Sequence, residues 1–157
     1  MKSLYQRIVS HPFFSTMAPE HQAILVECAG ERRYDTGEIL FREGEPANQL
    51  FLIEDGHVLL EGHRPGLHLG PLNAVQELGP GDVLGWSWLF PPFTWHLQAR
   101  ATEPTSAILL NGAHLLVTAE RDTRFGYCLM KRVSQVLIRR LQSTREQLAE
   151  RAEACHA

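Results

Sequence analysis

Between Glu31 and about Leu110 the chain never sustains an apolar run long enough for a helix. Short pieces such as Glu38–Phe41, Leu50–Ile53, Val58–Leu60 and Val83–Leu84 are separated by Gly44, Asp55-Gly56, Gly79-Pro80-Gly81 and Gly85. A helix repeats its apolar positions over roughly ten residues or more, whereas a strand needs only about four to eight. Short strands at frequent turn signals predict an all-β sandwich or barrel here. Asp55-Gly56, set between two apolar runs, predicts a hairpin. The Gly and Pro clusters of residues 63–73 predict a loop. The last strand pair is expected at residues 97–101 and 107–110.

Both flanks carry helical periodicity instead. Leu4, Ile8 and Val9 recur at helical spacing until His11-Pro12 breaks the pattern. A second helix is expected from Ala18-Pro19-Glu20 to Cys28-Ala29, with Pro in its first turn and Gly30 as its stop. Asn111 and Thr123 are candidate N-caps for two further helices. Arg124–Ala152 lacks proline and has no glycine after Gly126. Its Phe125, Leu129, Val133, Val136, Leu137, Leu141 and Leu148 form one apolar stripe. Arg139, Arg140, Arg145, Glu146, Glu150 and Arg151 are expected on the polar face.

With 157 residues, 44% hydrophobic and 21% charged, the chain suits one globular domain. A net charge of −3 argues against a general nucleic-acid binder, which needs a basic face. No apolar run approaches the roughly 20 residues of a bilayer span, and Met1-Lys2-Ser3-Leu4 opens no apolar signal segment. No membrane association and a cytoplasmic location are therefore expected. Cys28, Cys128 and Cys155 form no C-x-x-C pair, and the 8 histidines show no metal-ligand spacing. No metal or cofactor is expected. No G-K-[ST] follows the glycines, and Glu43 and Glu45 fall in a predicted turn, so no catalytic residue is singled out and an enzyme is not expected.

Thr36-Gly37-Glu38-Ile39-Leu40-Phe41-Arg42-Glu43-Gly44-Glu45, the run Ala47–Val58, Leu78–Gly85 and Arg100–Thr105 together resemble the cyclic-nucleotide-binding domain, in the style of bacterial catabolite-activator-like regulators. The resemblance covers roughly residues 10–150. It implies an α+β fold: a β-roll or jelly-roll (double-stranded β-helix) with N-terminal helices and a long C-terminal helix. The expected organisation is one domain over 1–157, with helices in 1–30, the roll in 31–110 and helices in 111–155. Such regulators normally add a helix-turn-helix after the long helix. This sequence ends at Ala157, so direct DNA binding by it is not expected.

In nucleotide-binding members of that family, a short helix opens a phosphate-binding cassette. Its amides and an Arg hold the cyclic phosphate, and a Glu accepts the ribose hydroxyl. Matched forward from Gly85, the Glu position falls on Trp86. Matched back from Arg100-Ala101, the Arg position falls on Trp95, beside His96. The resemblance therefore implies that two indoles replace the polar pair, and cyclic AMP or cyclic GMP is not expected to bind in the usual way. Arg100 is expected to face the surface, because a strand's period of two fixes its side.

The candidate pocket comprises Gly85, Trp86, Ser87, Trp88, Leu89, Phe90, Trp95 and His96, with Phe93 alongside and Pro91-Pro92 fixing the turn. The leading reading is a regulatory domain whose aromatic pocket takes an unknown flat or apolar small molecule. A second is a ligand-free interaction module with a tryptophan-filled pocket. A third is a cyclic-nucleotide binder with atypical contacts. The long helix adds an expected homodimer contact through Val133, Val136, Leu137, Leu141 and Leu148. Any further partner protein is unknown.

Overall fold

The computed structural model describes residues 1–64, 66, 67 and 70–156. Two short helices come first, α1 at Leu4–Ser10 and α2 at Pro19–Glu27. Ser3 starts α1 with a capping box, its side chain accepting from the Gln6 amide while Gln6 bonds back. Eight strands follow: β1 Ala29–Tyr34, β2 Ile39–Phe41, β3 Gln49–Asp55, β4 Val58–Gly62, β5 Asn73–Leu78, β6 Val83–Leu84, β7 Gln98–Ala101 and β8 Thr105–Asn111. A 3-10 turn at Ser87–Leu89 lies between β6 and β7, and α3 (Gly112–Arg121) and α4 (Thr123–His156) close the chain.

The strands form two antiparallel four-stranded sheets, ordered β1-β8-β3-β6 and β2-β7-β4-β5. Apart from β4–β5, each step along the chain carries it from one sheet to the other, which is the jelly-roll expected from the sequence. The step at Asp55-Gly56 is one of these corners and not a hairpin, because β3 pairs with β8 and β6 while β4 pairs with β7 and β5. The turn signal marks a sharp reversal correctly, but it does not specify which strands pair. Likewise β7 and β8 are not partners. The hairpin is instead β4–β5, closed by the predicted loop, of which Pro65, His68 and Leu69 lie outside the described residues.

Two helix boundaries also differ from expectation. Gly30 does not stop α2; it lies inside β1, opposite Leu109. Thr123 is not the cap of α4, because Asp122 Oδ1 accepts from the Arg124 and Phe125 amides at 3.1 and 3.2 Å. Asn111 does cap α3, accepting from the His114 amide at 2.9 Å.

One core joins the helices to the roll. Ile8, Phe14 and Leu25 pack with Leu50–Ile53, Ile108 and Leu110, and with Phe125, Leu129 and Val133 of α4. The apolar stripe of α4 is therefore divided. Val133 is 1% exposed and belongs to the core, and Val136 is half-buried against it. Leu137, Leu141 and Leu148, with Ile138, face solvent. Val133 is thus not available to a second copy, contrary to its place in the expected dimer contact.

Candidate functional site

The mouth of the roll opens where β6 runs into the 3-10 turn. Gly85 makes this bend with φ +91°, and a Cβ there would meet Gln49 O at 2.7 Å and Trp95 Cη2 at 3.1 Å. The close approach fixes Trp95 beneath the bend. Its backbone is held by the turn after β2, with Gly44 N donating to Trp95 O at 2.8 Å and Trp95 N donating to Glu45 O at 2.9 Å.

The Trp95 ring, 4% exposed, points into the roll. It stacks on Phe41 with centroids 4.0 Å apart and planes 18° apart. Phe51 packs against Phe41 at 5.5 Å and Trp95 at 6.2 Å. What remains open is a cleft of about 170 Å³ lined by Phe41, Leu60, Trp86, Trp95, Leu97 and Arg140, with Gly85, Ser87 and His96 at its edge. Pockets that hold small-molecule ligands are usually about 300 Å³ or larger.

Of the pocket residues expected from sequence, Gly85, Trp86, Ser87, Trp95 and His96 come together at this cleft. Trp88, Leu89 and Phe90 do not line it. Trp88 is buried under α3, where a Cβ on Gly112 would lie 2.6 Å from its ring, and its indole N–H donates to Gly85 O at 2.6 Å. A 3-10 turn has about three residues per turn, so Trp86 and Trp88 cannot share a face, and the second indole goes to the core. Leu89 packs on that core, while Phe90 and Phe93 are exposed at the tip around Pro91-Pro92. Phe93 is therefore not a pocket residue either.

The cation at the mouth comes from α4. Arg140 lays its guanidinium 4.3 Å from the centre of the Trp86 ring and donates a hydrogen bond to Val83 O. Burial pushes its pKa down to about 10. Arg140 is not on the polar face expected from the sequence; seven residues after Val133, it shares the buried side. That spacing was the available signal. Arg100 faces away from the cleft as expected, but it is no free surface residue. It pairs with buried Glu61 of β4, Nε donating to Oε1 at 2.9 Å, and Gln98 donates to the same carboxylate at 3.2 Å.

Among the described residues no cluster of His, Cys, Asp and Glu has the arrangement of a metal site, and no helix is long and apolar enough to cross a membrane.

Comparison with known proteins agrees with this architecture. The family model described as "Cyclic nucleotide-binding domain" matches residues 31–122. A Rhodopseudomonas palustris protein provisionally described as a potassium channel is 27% identical over 113 residues, covering 71% of this chain and 26% of its own. A CRP-like cAMP-activated global transcriptional regulator of Mycobacterium tuberculosis is 25% identical over 142 residues, 87% of this chain and 58% of its own. A crystal structure from Geobacter metallireducens, provisionally described as a cyclic nucleotide-binding protein, matches with a TM-score of 0.79 at 27% identity, over 89% of this chain and 99% of that one. The chain thus spans 26% of the first of these curated relatives and 58% of the second.

Proposed function

The chain belongs to the cyclic nucleotide-binding domain family, and from that premise we propose that it is a non-enzymatic regulatory module whose roll is filled from within. The observation that carries this reading is the stacked pair Trp95–Phe41, at 4.0 Å, inside the mouth. The indoles stand where the resemblance would put the Glu and Arg contacts of a nucleotide. Arg140, the cation in the lining of the cleft, is already engaged by Trp86 and Val83 O. A cyclic nucleotide would have to displace a buried indole and then hold its phosphate without the matched Arg. Losing one partner of a buried charged pair costs about 3 to 5 kcal/mol, several powers of ten in affinity.

Titration calorimetry with cyclic AMP and cyclic GMP tests this, with no saturable heat expected. Saturation by either in the micromolar range would overturn it and favour a nucleotide binder with atypical contacts. The apolar lining of the residual cleft favours one second reading, a small flat apolar ligand against Trp86 and Trp95. Quenching of tryptophan fluorescence by planar aromatic compounds, lost in Trp86→Ala, would support it.

Regulation needs an output, and we assign that to α4, which touches the mouth through Arg140 and carries Leu137, Ile138, Leu141 and Leu148 outward. In this proposal the outward face pairs two copies. A cytoplasmic setting and a single working unit over 1–157 belong to the same proposal.

A further inference from the structure

A separate cavity of about 250 Å³ lies between α4 and the β5–β6 edge of the roll, next to Pro12 and Phe13. Its helix wall is Arg132, Gln135, Val136, Arg139, Arg140 and Ser143, and its roll wall includes Gln76, Leu78 and Asp82. Positions separated by three, four, seven and eight residues share one side of a helix. All three arginines line this cavity, Arg132 and Arg140 half-buried and Arg139 exposed at its rim, while Leu137, Ile138 and Leu141 are turned to solvent.

The roll answers these charges only in part, through the field of Asp82 at Arg140. No ion pair within 4 Å involves Arg132, Arg139 or Arg140 among the described residues. Arg132 donates only to the Gln135 amide oxygen, at 3.2 Å, and Arg140 to a backbone carbonyl. Asp82, the single carboxylate of the lining, accepts the Gly79 amide at 2.9 Å. Three guanidiniums against one carboxylate leave a surplus of two positive charges in a concave, partly apolar site. Arg132 and Arg140 are half-buried, and a half-buried cation without a full counter-charge is costly, a cost that an anion relieves.

We propose that this cavity binds a small phosphomonoester, with its phosphate on Arg132 and Arg139 beside Arg140 and its hydroxylated body against Gln76, Gln135 and Ser143. Such a group carries about −1.5 to −2 at neutral pH, which matches the surplus. Guanidinium forks suit its oxygens better than point charges would. The cavity's size limits the body to a few carbons. The bound ligand ties α4 to the β5–β6 edge just where the helix leaves the core, so occupancy sets how firmly the outward-facing half of α4 is held. Arg140 also lines the mouth of the roll, whereas Arg132 and Arg139, which carry the phosphate in this proposal, do not.

The experiment uses the full chain at constant ionic strength, because arginine clusters also respond to salt. Thermal shift and calorimetry are run with glycerol 3-phosphate, inorganic phosphate and succinate. Glycerol 3-phosphate should saturate in the micromolar to millimolar range, inorganic phosphate more weakly, and succinate not at all. Arg132→Gln and Arg139→Gln, changes at half-exposed and exposed positions, should each weaken binding by about tenfold or more. Arg139→Lys, which keeps charge but loses the fork, should fall between. Melting curves without ligand check that each variant is folded. Absence of saturation, equal binding by succinate, or undiminished binding by the folded Gln variants would overturn the proposal. Saturable cyclic AMP binding by the parent chain, with glycerol 3-phosphate binding as expected and retained at saturating cyclic AMP, would overturn only the reading of the roll.

Discussion

The Arg140 guanidinium sits 4.3 Å from the centre of the Trp86 ring, and this one contact ties the last element of the chain to the cassette of the roll. A cation over an indole is worth about 0.5 to 2 kcal/mol, more when water is excluded. Arg140 also donates to Val83 O, and a hydrogen bond from a charged group adds about 1.5 to 3 kcal/mol. Against these stands the desolvation that pushes its pKa down to about 10. Arg140→Ala should therefore lower stability by a net of about 1 to 3 kcal/mol and shift Trp fluorescence to the red. Arg140→Lys should lose less, since it keeps the charge. Urea denaturation followed by fluorescence measures both, and an unchanged midpoint in the Ala variant would remove this tie.

Trp95 fills the roll and Trp86 only covers it, so their truncations should differ. Trp95→Ala leaves a cavity beside Phe41 and Phe51 and should cost about 3 to 5 kcal/mol. Trp86 is half-buried, and Trp86→Ala should cost about 1 to 2 kcal/mol, much of it the lost Arg140 contact. Equal losses in urea denaturation would contradict the assignment of Trp95 to the core.

The build of the roll was legible because glycines at its corners are a matter of local sterics. Pairing was not, since Asp55-Gly56 reads the same whether the chain reverses within a sheet or crosses to the other. The cassette was half legible. The resemblance implies Trp86 and Trp95 at the mouth, but the three-residue repeat of the 3-10 turn carries Trp88 under α3. Arg140 runs against its charge, which favours solvent, because its spacing from Val133 and Val136 puts it on the packed side. Asp122 and Thr123 offer equally suitable capping chemistry in sequence, and only the backbone geometry selects Asp122.

Gly56 tests the corner itself. It holds φ +94°, and a Cβ would lie 2.3 Å from Thr105 Oγ1 and 2.5 Å from Pro104 O. Gly56→Ala therefore combines backbone strain with a clash against main chain that cannot rotate away. A loss of roughly 2 to 4 kcal/mol is expected. Gly37→Ala shares the positive φ but meets no atom within 4 Å, so about 1 kcal/mol is expected there. Thermal denaturation of the pair separates strain from crowding.

Two histidines should tilt the pH profile in opposite directions. His11 is 6% exposed, its Nδ1 accepts the Phe13 amide at 3.2 Å, and burial pushes its pKa below the ordinary 6.5, partly opposed by the Ile53 backbone and then by Glu54 and Asp82. The unfolded chain then binds the extra proton first, so stability falls as pH drops through about 6.5 toward the folded value. His57 is raised by its bond to Glu103, at 2.7 Å. Its contribution is present below about 6.5 and lost as pH rises through the folded value, and it is small because both groups are exposed. Urea midpoints between pH 5 and 8 should flatten on the acid side in His11→Asn. An acid limb unchanged by that substitution would show that His11 is not its source.

The last prediction concerns the face of α4 that the core leaves uncovered. Leu137, Ile138, Leu141 and Leu148 are 42, 55, 62 and 59% exposed. Met130, Leu137, Leu141 and Leu148 follow one another at heptad-compatible spacings of seven, four and seven residues, the seam of a two-helix contact. Val133 cannot contribute, because it is already in the core. A single Leu141→Glu places two like charges opposite each other at the centre of the seam, with no buried residue of the monomer disturbed. Sedimentation at micromolar concentration should find a dimer for the parent chain and a folded monomer for Leu141→Glu. A Val136→Glu change, half-buried against the core, should instead lower the melting temperature. A parent chain that sediments as a monomer would leave the outward leucines without the proposed partner.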